Sequence, residues 1–183
     1  MDEQINEEAS KEAAKRTVTM KGRPMSLAGD GIKPGTPAPD FKVVDNNMTP
    51  MKFLRTYKGK VVVISSVTSL DTSVCDIETR RFNKEAESLD PDIHVITISM
   101  DLPFAQKRWC GTAGVTRVQT FSDYQKADFG KAWGVLMKDL RLLARAVFIV
   151  DREGVVRYAQ LVPEIGQEPD YDEALAALKN IAG

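Results

Sequence analysis

Two nearly continuous apolar runs, with one helical segment between them, most constrain how this chain can fold. The runs lie within residues 60 to 67 and 93 to 100, and residues 73 to about 89 are predicted to form the helix. A strand that is apolar at almost every position is typically buried on both faces of a sheet, and helices must then cover both sides. The order strand, helix, strand therefore predicts a βαβ unit at the centre of an α/β domain.

The rest of the chain supplies the edges of this sheet and further helices. Residues 17 to 27 alternate around Gly22, which is typical of a β-hairpin, while Pro103 and Gly111 suit the first position and the C-terminal cap of a helix. Further strands are predicted at residues 41 to 44, 117 to 121, 145 to 150 and 155 to 162, and further helices at residues 124 to 133 and 170 to 181. We expect a central mixed sheet, mostly parallel, with helices on both faces and an N-terminal β-hairpin.

Length and composition favour one folded unit. The chain has 183 residues, of which 43% are hydrophobic, so it can bury one sizeable core, and its length favours a single domain. Residues 1 to 16 are rich in Glu, Lys and Ala and have too few apolar positions to bury. We therefore expect a mobile charged tail over residues 1 to 16 and one domain over residues 17 to 183.

The charge balance and the short apolar runs exclude several classes of partner. With 25 basic and 26 acidic residues the net charge is -1, so no overall field attracts nucleic acid or an anionic membrane. The apolar runs are far shorter than the ~20 residues of a membrane-spanning helix. Few cysteines and the lack of a secretory signal pattern favour a cytoplasmic protein, although a periplasmic location stays open, since a processed chain would have lost its signal.

The first of the two cysteines, Cys75, lies where a predicted strand gives way to a predicted helix. A helix start leaves backbone N–H groups free and carries partial positive charge, which favours the thiolate, the reactive form of cysteine. Asp71, Thr72 and Ser73 are all capable N-terminal caps, and Ser73 with Asp76 matches the spacing of a capping box. The residues alone leave two interpretations open, a reactive thiolate and an inert buried cysteine.

The second cysteine, Cys110, lies 35 positions later, near the predicted end of the second helix. This spacing excludes a short Cys-x-x-Cys motif between Cys75 and Cys110. Two distant cysteines suggest an attacking thiol and a resolving thiol. From its placement alone, Cys110 is also compatible with a spectator that fills the helix end.

Four segments resemble the thiol peroxidase family, the atypical two-cysteine peroxiredoxins. They are SLDTSVC at residues 69 to 75 with RRFN at 80 to 83, MDLPFAQ at 100 to 106 leading to Cys110, LARAV at 143 to 147, and QLV at 160 to 162 with EPDY at 168 to 171. The likeness spans roughly residues 17 to 181 in one order, which makes it more specific than any single short motif. It implies a thioredoxin-like fold and a thioredoxin-dependent peroxidase acting on hydrogen peroxide or alkyl hydroperoxides.

The resemblance assigns roles to three side chains. It implies that the Cys75 thiolate attacks a hydroperoxide and becomes a sulfenic acid. Thr72 holds the family's motif threonine, one helical turn before Cys75, where its hydroxyl can bond the thiolate or the peroxide. Arg145, in the segment LARAV, would hold sulfur and peroxide oxygens with its planar fork of donors. From residue type alone, Thr72 is a simple helix cap, a role that can coexist with the other, and Arg145 is ordinarily a solvated strand end.

The resemblance also makes Cys110 the resolving residue. Its thiolate would attack the Cys75 sulfenic acid and form an intrachain disulfide, which thioredoxin or a similar dithiol protein would reduce. A disulfide needs Cα atoms within ~7 Å, and one cysteine begins a helix while the other ends one, so we hypothesise local unwinding at both sites. An alternative from another class is a redox sensor or binding module that uses the same disulfide without efficient turnover.

The sequence departs from the family pattern at Thr68. The family usually has a proline seven residues before the attacking cysteine. Proline fixes φ and lacks an N–H, so its loss loosens the loop and adds a hydroxyl near the pocket, although a stiff β-branched threonine can conserve the shape. We predict slower peroxide turnover than in a Thr68→Pro variant, and the departure favours the sensor interpretation.

The remaining candidates carry simpler interpretations. His94 is the single histidine and lies within a predicted strand, so we interpret it as structural, and neither a usual zinc site nor a Cys-His hydrolase follows from it. Glu78 is interpreted as a solvated helix residue, and Trp109 and Phe104 are expected to pack around Cys110. We expect no cofactor and no metal. As the family forms dimers, we expect a homodimer, with candidate exposed faces around Phe41, Met48 and Phe121.

Overall fold

The computed structural model describes residues 16 to 183, and the predicted tail, apart from Arg16, lies outside them. The strands are β1 Thr17–Met20, β2 Arg23–Ser26, β3 Lys42–Val44, β4 Pro50–Lys52, β5 Val61–Ser66, β6 Ile93–Ser99, β7 Val118–Ser122, β8 Leu136–Met137, β9 Leu142–Leu143, β10 Ala146–Val150 and β11 Val156–Leu161. The helices are α1 Phe53–Thr56, α2 Ser73–Ala86, α3 Pro103–Ala113, α4 Asp128–Ala132 and α5 Tyr171–Ala182.

Seven strands form one mixed sheet in the order β11-β10-β5-β6-β7-β3-β4. The parallel pair β5 and β6 lies at its centre, and every residue of β5 is buried, as its apolar run predicts. Of the six pairings in this sheet, two are parallel, β5 with β6 and β6 with β7, so the prediction of a mostly parallel sheet is wrong. The chain enters and leaves the sheet through the hairpins β3–β4 and β10–β11, and tight hairpins connect antiparallel strands.

Helices and loops cover both faces of the sheet. On one face, Phe82 of α2 and Leu178 of α5 belong to a core cluster with residues of β5. On the other face, an aromatic group that includes Phe53, Phe129 and Trp133 fills the core. This arrangement agrees with the predicted α/β fold with helices on both faces. Across residues 16 to 183, none of the helices combines the length and the apolar character that crossing a membrane requires.

The N-terminal hairpin forms as predicted, and its two-residue turn is Lys21-Gly22. Both residues have positive φ, 51° and 76°, as a type I′ turn requires, and glycine adopts this conformation without strain. The carboxylate of Glu164, in the loop after β11, accepts hydrogen bonds from the Thr19 hydroxyl and from the N–H groups of Lys21 and Gly22. The hairpin tip is thereby fixed to the loop over residues 163 to 166.

The guanidinium of Arg16 is held between glycine-containing loops. Its Nη1 donates to the carbonyl groups of Gly29 at 3.1 Å and Gly134 at 3.0 Å. Gly134 has a φ of +70°, and a Cβ at this position would lie 2.5 Å from Arg16 Nη1 and 2.6 Å from the Cα of Gly31. The backbone conformation and the close approach both require glycine at position 134. The first described residue is thus bound to the body of the domain.

α2 ends at Ala86, three residues before its predicted end, and the bounds of α3 and α4 also differ from the predictions. α3 continues past Gly111 to Ala113 and ends at Gly114, whose φ of +66° forms the left-handed cap. α4 begins at Asp128 instead of residue 124, because Ala127 is itself left-handed, with a φ of 52°. The end of α3 and the start of α4 each depend on the left-handed backbone of a single residue, Gly114 and Ala127 respectively.

Short edge elements and two core residues also differ from the predictions. β4 and the hairpin of β8 and β9 are not predicted, since two or three residues are too few to show an alternating pattern. Phe41 and Phe121 are 2% and 5% exposed and belong to the core, so their assignment to an exposed dimer face is wrong. Met48, the third residue of that group, is 38% exposed.

Candidate active site

Cys75 is the third residue of α2, directly after the loop that leaves β5. Thr72 is the N-terminal cap residue, but its hydroxyl donates to the carbonyl of Ser69 at 2.8 Å instead of capping the helix. The predicted capping box with Asp76 does not form, because helix α2 starts at Ser73 and not after it. Cys75 therefore lies within the first helical turn, whose N–H groups carry partial positive charge.

The side chain of Cys75 is completely buried, with 0% of its surface exposed. It packs with Val67, Leu70 and Trp109. The indole of Trp109 is held in place by a hydrogen bond from Nε1 to the Asp76 carboxylate at 2.9 Å. The residues that surround the sulfur on this side are apolar.

Arg145 approaches Cys75 from the start of β10. Its Nη2 lies 3.3 Å from the Cys75 sulfur, and its Nη1 lies 2.5 Å from Oε2 of Glu78. Its Nε and Nη2 donate to the carbonyl of Ile165 at 3.1 and 2.8 Å. Arg145 is 1% exposed, so the interpretation as a solvated strand end is wrong. Contacts with three different residues fix one orientation of the guanidinium, with positive charge facing the sulfur.

Glu78 is buried and is not the solvated helix residue that its type suggested. It follows Cys75 by one helical turn on the same face of α2, and its Oε1 accepts a hydrogen bond from the Ser65 hydroxyl at 2.8 Å. Burial raises the pKa of Glu78 above its ordinary value, and the Arg145 guanidinium acts in the opposite direction. Although burial lowers the pKa of Arg145, Glu78 and Cys75 raise it above its ordinary value. Arg145 therefore carries its charge at any working pH.

A cavity of about 250 Å³ lies beside this ion pair. Its polar lining is formed by Thr68, Thr72 and Arg145, among other residues. The Thr68 hydroxyl donates to the carbonyl of Leu143 at 3.0 Å, so this side chain ties the loop before α2 to the chain before Arg145. The apolar lining comes from Met20, Val74 and Ile165. A small molecule in this cavity would meet the guanidinium and two threonine side chains.

Cys110 lies in the last turns of α3, and its sulfur has different neighbours. Its Sγ is 3.3 Å from the Thr120 hydroxyl oxygen and 3.9 Å from Nδ2 of Asn46, and it borders a separate cavity of about 690 Å³. Trp109, about 100° around the helix from Cys110, packs against Cys75 instead, and Phe104 is 66% exposed. The expected packing of these two aromatic residues around Cys110 is therefore wrong. Both thiols are free in this structure.

The structure brings together some of the predicted site residues and separates others. Cys75 and Arg145 are in contact, Thr68 and Thr72 line the adjacent cavity, and Cys110 faces elsewhere. Sequence reasoning missed Glu78, although its spacing of three residues from Cys75 signals a shared helix face. The carbonyl of Ile165 is a backbone group, which no side-chain pattern reveals.

His94 lies in β6 and lines the same cavity as Cys110, but it is not among the contacts of Cys75. Its ring is 5.3 Å from the ring of Tyr57, and burial lowers the pKa of His94. Within residues 16 to 183, no group of three or more His, Cys, Asp or Glu side chains is arranged to hold a metal ion.

Sequence comparisons identify relatives over most of the chain. The model of the Redoxin family matches residues 33 to 175. A thiol peroxidase of Bacillus subtilis is 50% identical over 162 residues, which cover 88% of this chain and 96% of the relative. A thiol peroxidase of Staphylococcus aureus is 52% identical over 164 residues, 90% of this chain and 98% of the relative.

Two solved structures share the fold. A peroxiredoxin-like protein from Aquifex aeolicus superposes with a TM-score of 0.84 at 42% identity, covering 91% of this chain and 97% of that one. A thiol peroxidase from Chromobacterium violaceum superposes with a TM-score of 0.81 over the same shares at 20% identity, a likeness that concerns the fold alone.

Proposed function

We propose that this chain, which belongs to the Redoxin family and is a thiol peroxidase, reduces hydrogen peroxide and alkyl hydroperoxides through a sulfenic acid on Cys75. The observation that carries the mechanism is the contact of 3.3 Å between Nη2 of Arg145 and the sulfur of Cys75. A fixed cation beside a thiol at a helix start favours the thiolate, which is the nucleophile.

In the first step, the Cys75 thiolate attacks the terminal oxygen of the hydroperoxide. A sulfur–oxygen bond forms while the O–O bond breaks, so the sulfur is oxidised to a sulfenic acid and the peroxide is reduced. The departing oxygen leaves as an alkoxide or hydroxide and takes up a proton to become an alcohol or water. Negative charge passes from sulfur to this oxygen, and Arg145 is placed to stabilise both.

The two threonines have supporting roles in this proposal. Thr72 lines the cavity at the start of α2, and its hydroxyl oxygen can also accept a hydrogen bond from the hydroperoxide while it donates to Ser69. Thr68 replaces the family's proline and fastens the loop through its bond to Leu143. Because the sulfur is fully buried and Cys75 does not line the cavity, a peroxide in the cavity reaches it only after side chains between them move.

In the second step, the Cys110 thiolate attacks the sulfenic sulfur of Cys75, a disulfide forms, and hydroxide leaves and becomes water. The two sulfurs have separate neighbours in the reduced protein, which supports unwinding at both segments before they meet. α3 is suited to unwinding, since Pro103 and Gln106 are its buried residues and both lie in its first half. Matching positions of both segments in reduced and disulfide crystals would contradict this step.

A dithiol protein such as thioredoxin then reduces the disulfide by thiol–disulfide exchange and restores both thiols. A reducing compartment such as the cytoplasm supplies such a protein, and the low cysteine content fits it. We also propose a homodimer, and Met48 is the suggested interface residue that is exposed in the structure.

The test is peroxide-dependent NADPH oxidation coupled through thioredoxin and thioredoxin reductase. The wild-type chain should turn over repeatedly, Cys75→Ser should be inactive, and Cys110→Ser should complete a single turnover. Activity in the Cys75→Ser variant would disprove the proposal.

The redox sensor is the second candidate, and the replacement of the family's proline by Thr68 favours it. A sensor would form the Cys75–Cys110 disulfide with peroxide, yet show little sustained NADPH oxidation with any dithiol reductant. The same assay, with the disulfide measured by mass spectrometry, separates the two functions.

A further inference from the structure

We infer that Asp101 is a positioning residue that ties the Cys75 loop to the start of α3, so that the segments carrying the two cysteines are held and released together. The inference rests on the proposed function, because release matters only if Cys110 must reach an oxidised Cys75. Asp101 touches neither sulfur, but it affects the rates of both peroxide attack and disulfide formation.

The Asp101 carboxylate binds three groups from two parts of the fold. Its Oδ1 accepts a hydrogen bond from the Ser69 hydroxyl at 2.7 Å, and its Oδ2 accepts one from the Leu70 N–H at 2.8 Å. Oδ2 also accepts a hydrogen bond from the hydroxyl of Ser99, the last residue of β6, at 2.8 Å. Since the Leu70 side chain packs directly against Cys75, this carboxylate holds part of the wall around the sulfur.

The backbone of Asp101 is anchored as well. Its carbonyl accepts a hydrogen bond from the hydroxyl of Ser122 in β7, and its N–H donates to the Ser99 hydroxyl at 3.3 Å. Leu102, the cap residue of α3, and Pro103, its first residue, follow immediately. Asp101 therefore connects the loop of Cys75 to the point at which the chain leaves the sheet and enters the helix of Cys110.

Other contacts between α3 and the Cys75 segment lie nearer Cys110, and one of them is an exposed ion pair of Arg108 with Asp71 at 3.9 Å. The Trp109 indole donates to Asp76 at 2.9 Å, and Arg80 donates to the carbonyl of Ala113 at 3.0 Å. Hydrogen bonds to a charged acceptor are roughly twice as strong as neutral ones, and three of them converge on Asp101. Loss of this carboxylate should therefore lower the barrier to unwinding at both ends of the link.

Removing the tether should change the two chemical steps in opposite directions. A looser loop orders Cys75 and Arg145 less well, so attack on peroxide slows. Easier unwinding brings Cys110 to the sulfenic acid sooner, so disulfide formation accelerates. A residue that merely stabilised the fold would not accelerate the second step.

The test compares Asp101→Ala, Asp101→Asn and Ser69→Ala with the wild-type chain. Each reduced protein reacts with hydrogen peroxide, the reaction is stopped at set times, and sulfenic acid and disulfide are measured by mass spectrometry. In Asp101→Ala, the first rate constant should fall about tenfold and the second should rise about tenfold. Asn keeps one acceptor oxygen. Ser69→Ala removes one of the three bonds to the Asp101 carboxylate, together with the bond from the Asp71 N–H to the Ser69 hydroxyl. Both substitutions should therefore give smaller changes in the same directions. Asp139→Asn, at an exposed carboxylate outside the link, should change neither rate.

Hydrogen exchange of the reduced protein, without peroxide, tests the tether independently of any peroxidase activity. Amides of residues 69 to 75 and 102 to 113 should exchange faster together in Asp101→Ala, while the central strands stay protected. Unchanged or slower disulfide formation, or faster exchange in one segment alone, would overturn the inference. If Asp101→Ala exchanges rapidly throughout, the same criteria apply to Ser69→Ala.

Discussion

Glu78 and Arg145 form a fully buried ion pair, with Oε2 and Nη1 2.5 Å apart, beside the sulfur of Cys75. Taking two charges out of water is unfavourable unless they compensate each other, and removing one partner leaves the other charge buried and unpaired. Glu78 thus allows a permanently charged guanidinium to exist in a dry environment, where its effect on the sulfur is strongest.

Replacement of Glu78 by Gln is expected to lower the free energy of unfolding by about 3 kcal/mol at neutral pH, because Arg145 then lacks a countercharge. Urea unfolding of the reduced protein measures this change. The matched control is Glu85→Gln, which breaks the exposed pair with Arg81 and should lower the free energy of unfolding by about 0.5 kcal/mol. Equal effects of the two substitutions would show that the buried pair is not needed for stability.

Arg145→Lys should slow the attack of Cys75 on hydrogen peroxide about 100-fold, the size of effect seen when one donor is lost from a charge-stabilising site. A lysine ammonium cannot contact Glu78, Ile165 and the sulfur in the same planar arrangement. Stopped-flow oxidation of the reduced protein gives the rate constant. Arg157→Lys, in a surface pair with Asp151, serves as the control and should leave it unchanged.

Thr68→Pro is expected to turn over peroxide faster than the natural chain, because proline fixes the loop before Cys75. The variant should also lose about 1 kcal/mol of stability, since the carbonyl of Leu143 loses its hydroxyl partner. Thr68→Val removes the hydroxyl and keeps the branched shape, so it separates the two effects. Steady-state turnover in the natural chain that equals or exceeds that of the proline variant would contradict the prediction.

The buried carboxylate of Asp123 should make stability depend on pH. Burial raises the pKa of Asp123 from 3.8 to about 6, although the N–H groups of Phe129 and Gly130 bind the carboxylate. Between these values the folded chain keeps a proton that the unfolded chain has released. The free energy of unfolding therefore falls as the pH rises through this range, by up to about 1.4 kcal/mol per pH unit.

Urea unfolding between pH 4 and 7 tests the role of Asp123. As the pH rises from 4, the difference in free energy of unfolding between the wild-type chain and Asp123→Asn should grow. It should level off above pH 6, since the variant lacks this titration. Asp139→Asn, at an exposed position, should retain the wild-type slope. Parallel curves for wild type and Asp123→Asn would show that another group is responsible.

Gly134→Ala should destabilise the protein more than Gly154→Ala. Both glycines have positive φ, 70° and 77°, so alanine at either position is strained by about 1 to 2 kcal/mol. A Cβ at Gly134 also meets Arg16 and Gly31, whereas at Gly154 no atom of the described residues lies within 4 Å. The additional loss at Gly134, about 2 kcal/mol by thermal or urea unfolding, measures the close packing. Equal losses would indicate that both Arg16 and the Gly31 backbone move aside freely.

The centre of the fold was predictable because burial on both faces leaves a direct trace in the sequence, as in β5 and β6. The shorter elements at the edges of the fold were harder to predict. The start of α4 is set by the left-handed Ala127 and by the Asp123 carboxylate, which binds the N–H groups of Phe129 and Gly130, six and seven residues later. These contacts are local, but they belong to an irregular turn, and hydrophobic periodicity does not reveal such a turn.

The candidate site shows the same division. Cys75 at a helix start is a local feature, and its neighbours in sequence predict it. Arg145 lies 70 residues away, and only the resemblance to a family linked it to Cys75. The burial of Glu78 and the role of the Ile165 carbonyl depend on how β10, α2 and the loop after β11 meet, which required the three-dimensional structure.

The hydrogen bonds from Arg145 to the Ile165 carbonyl have a consequence for the nascent chain. The ribosome delivers Cys75 first, Arg145 seventy residues later, and the Ile165 carbonyl that orients the guanidinium twenty residues after that. A half-made chain therefore exposes a thiol without its cation, and a cation without its orientation. Translation order alone thus delays the assembly of an oriented cation beside Cys75 until the chain has been synthesised through Ile165.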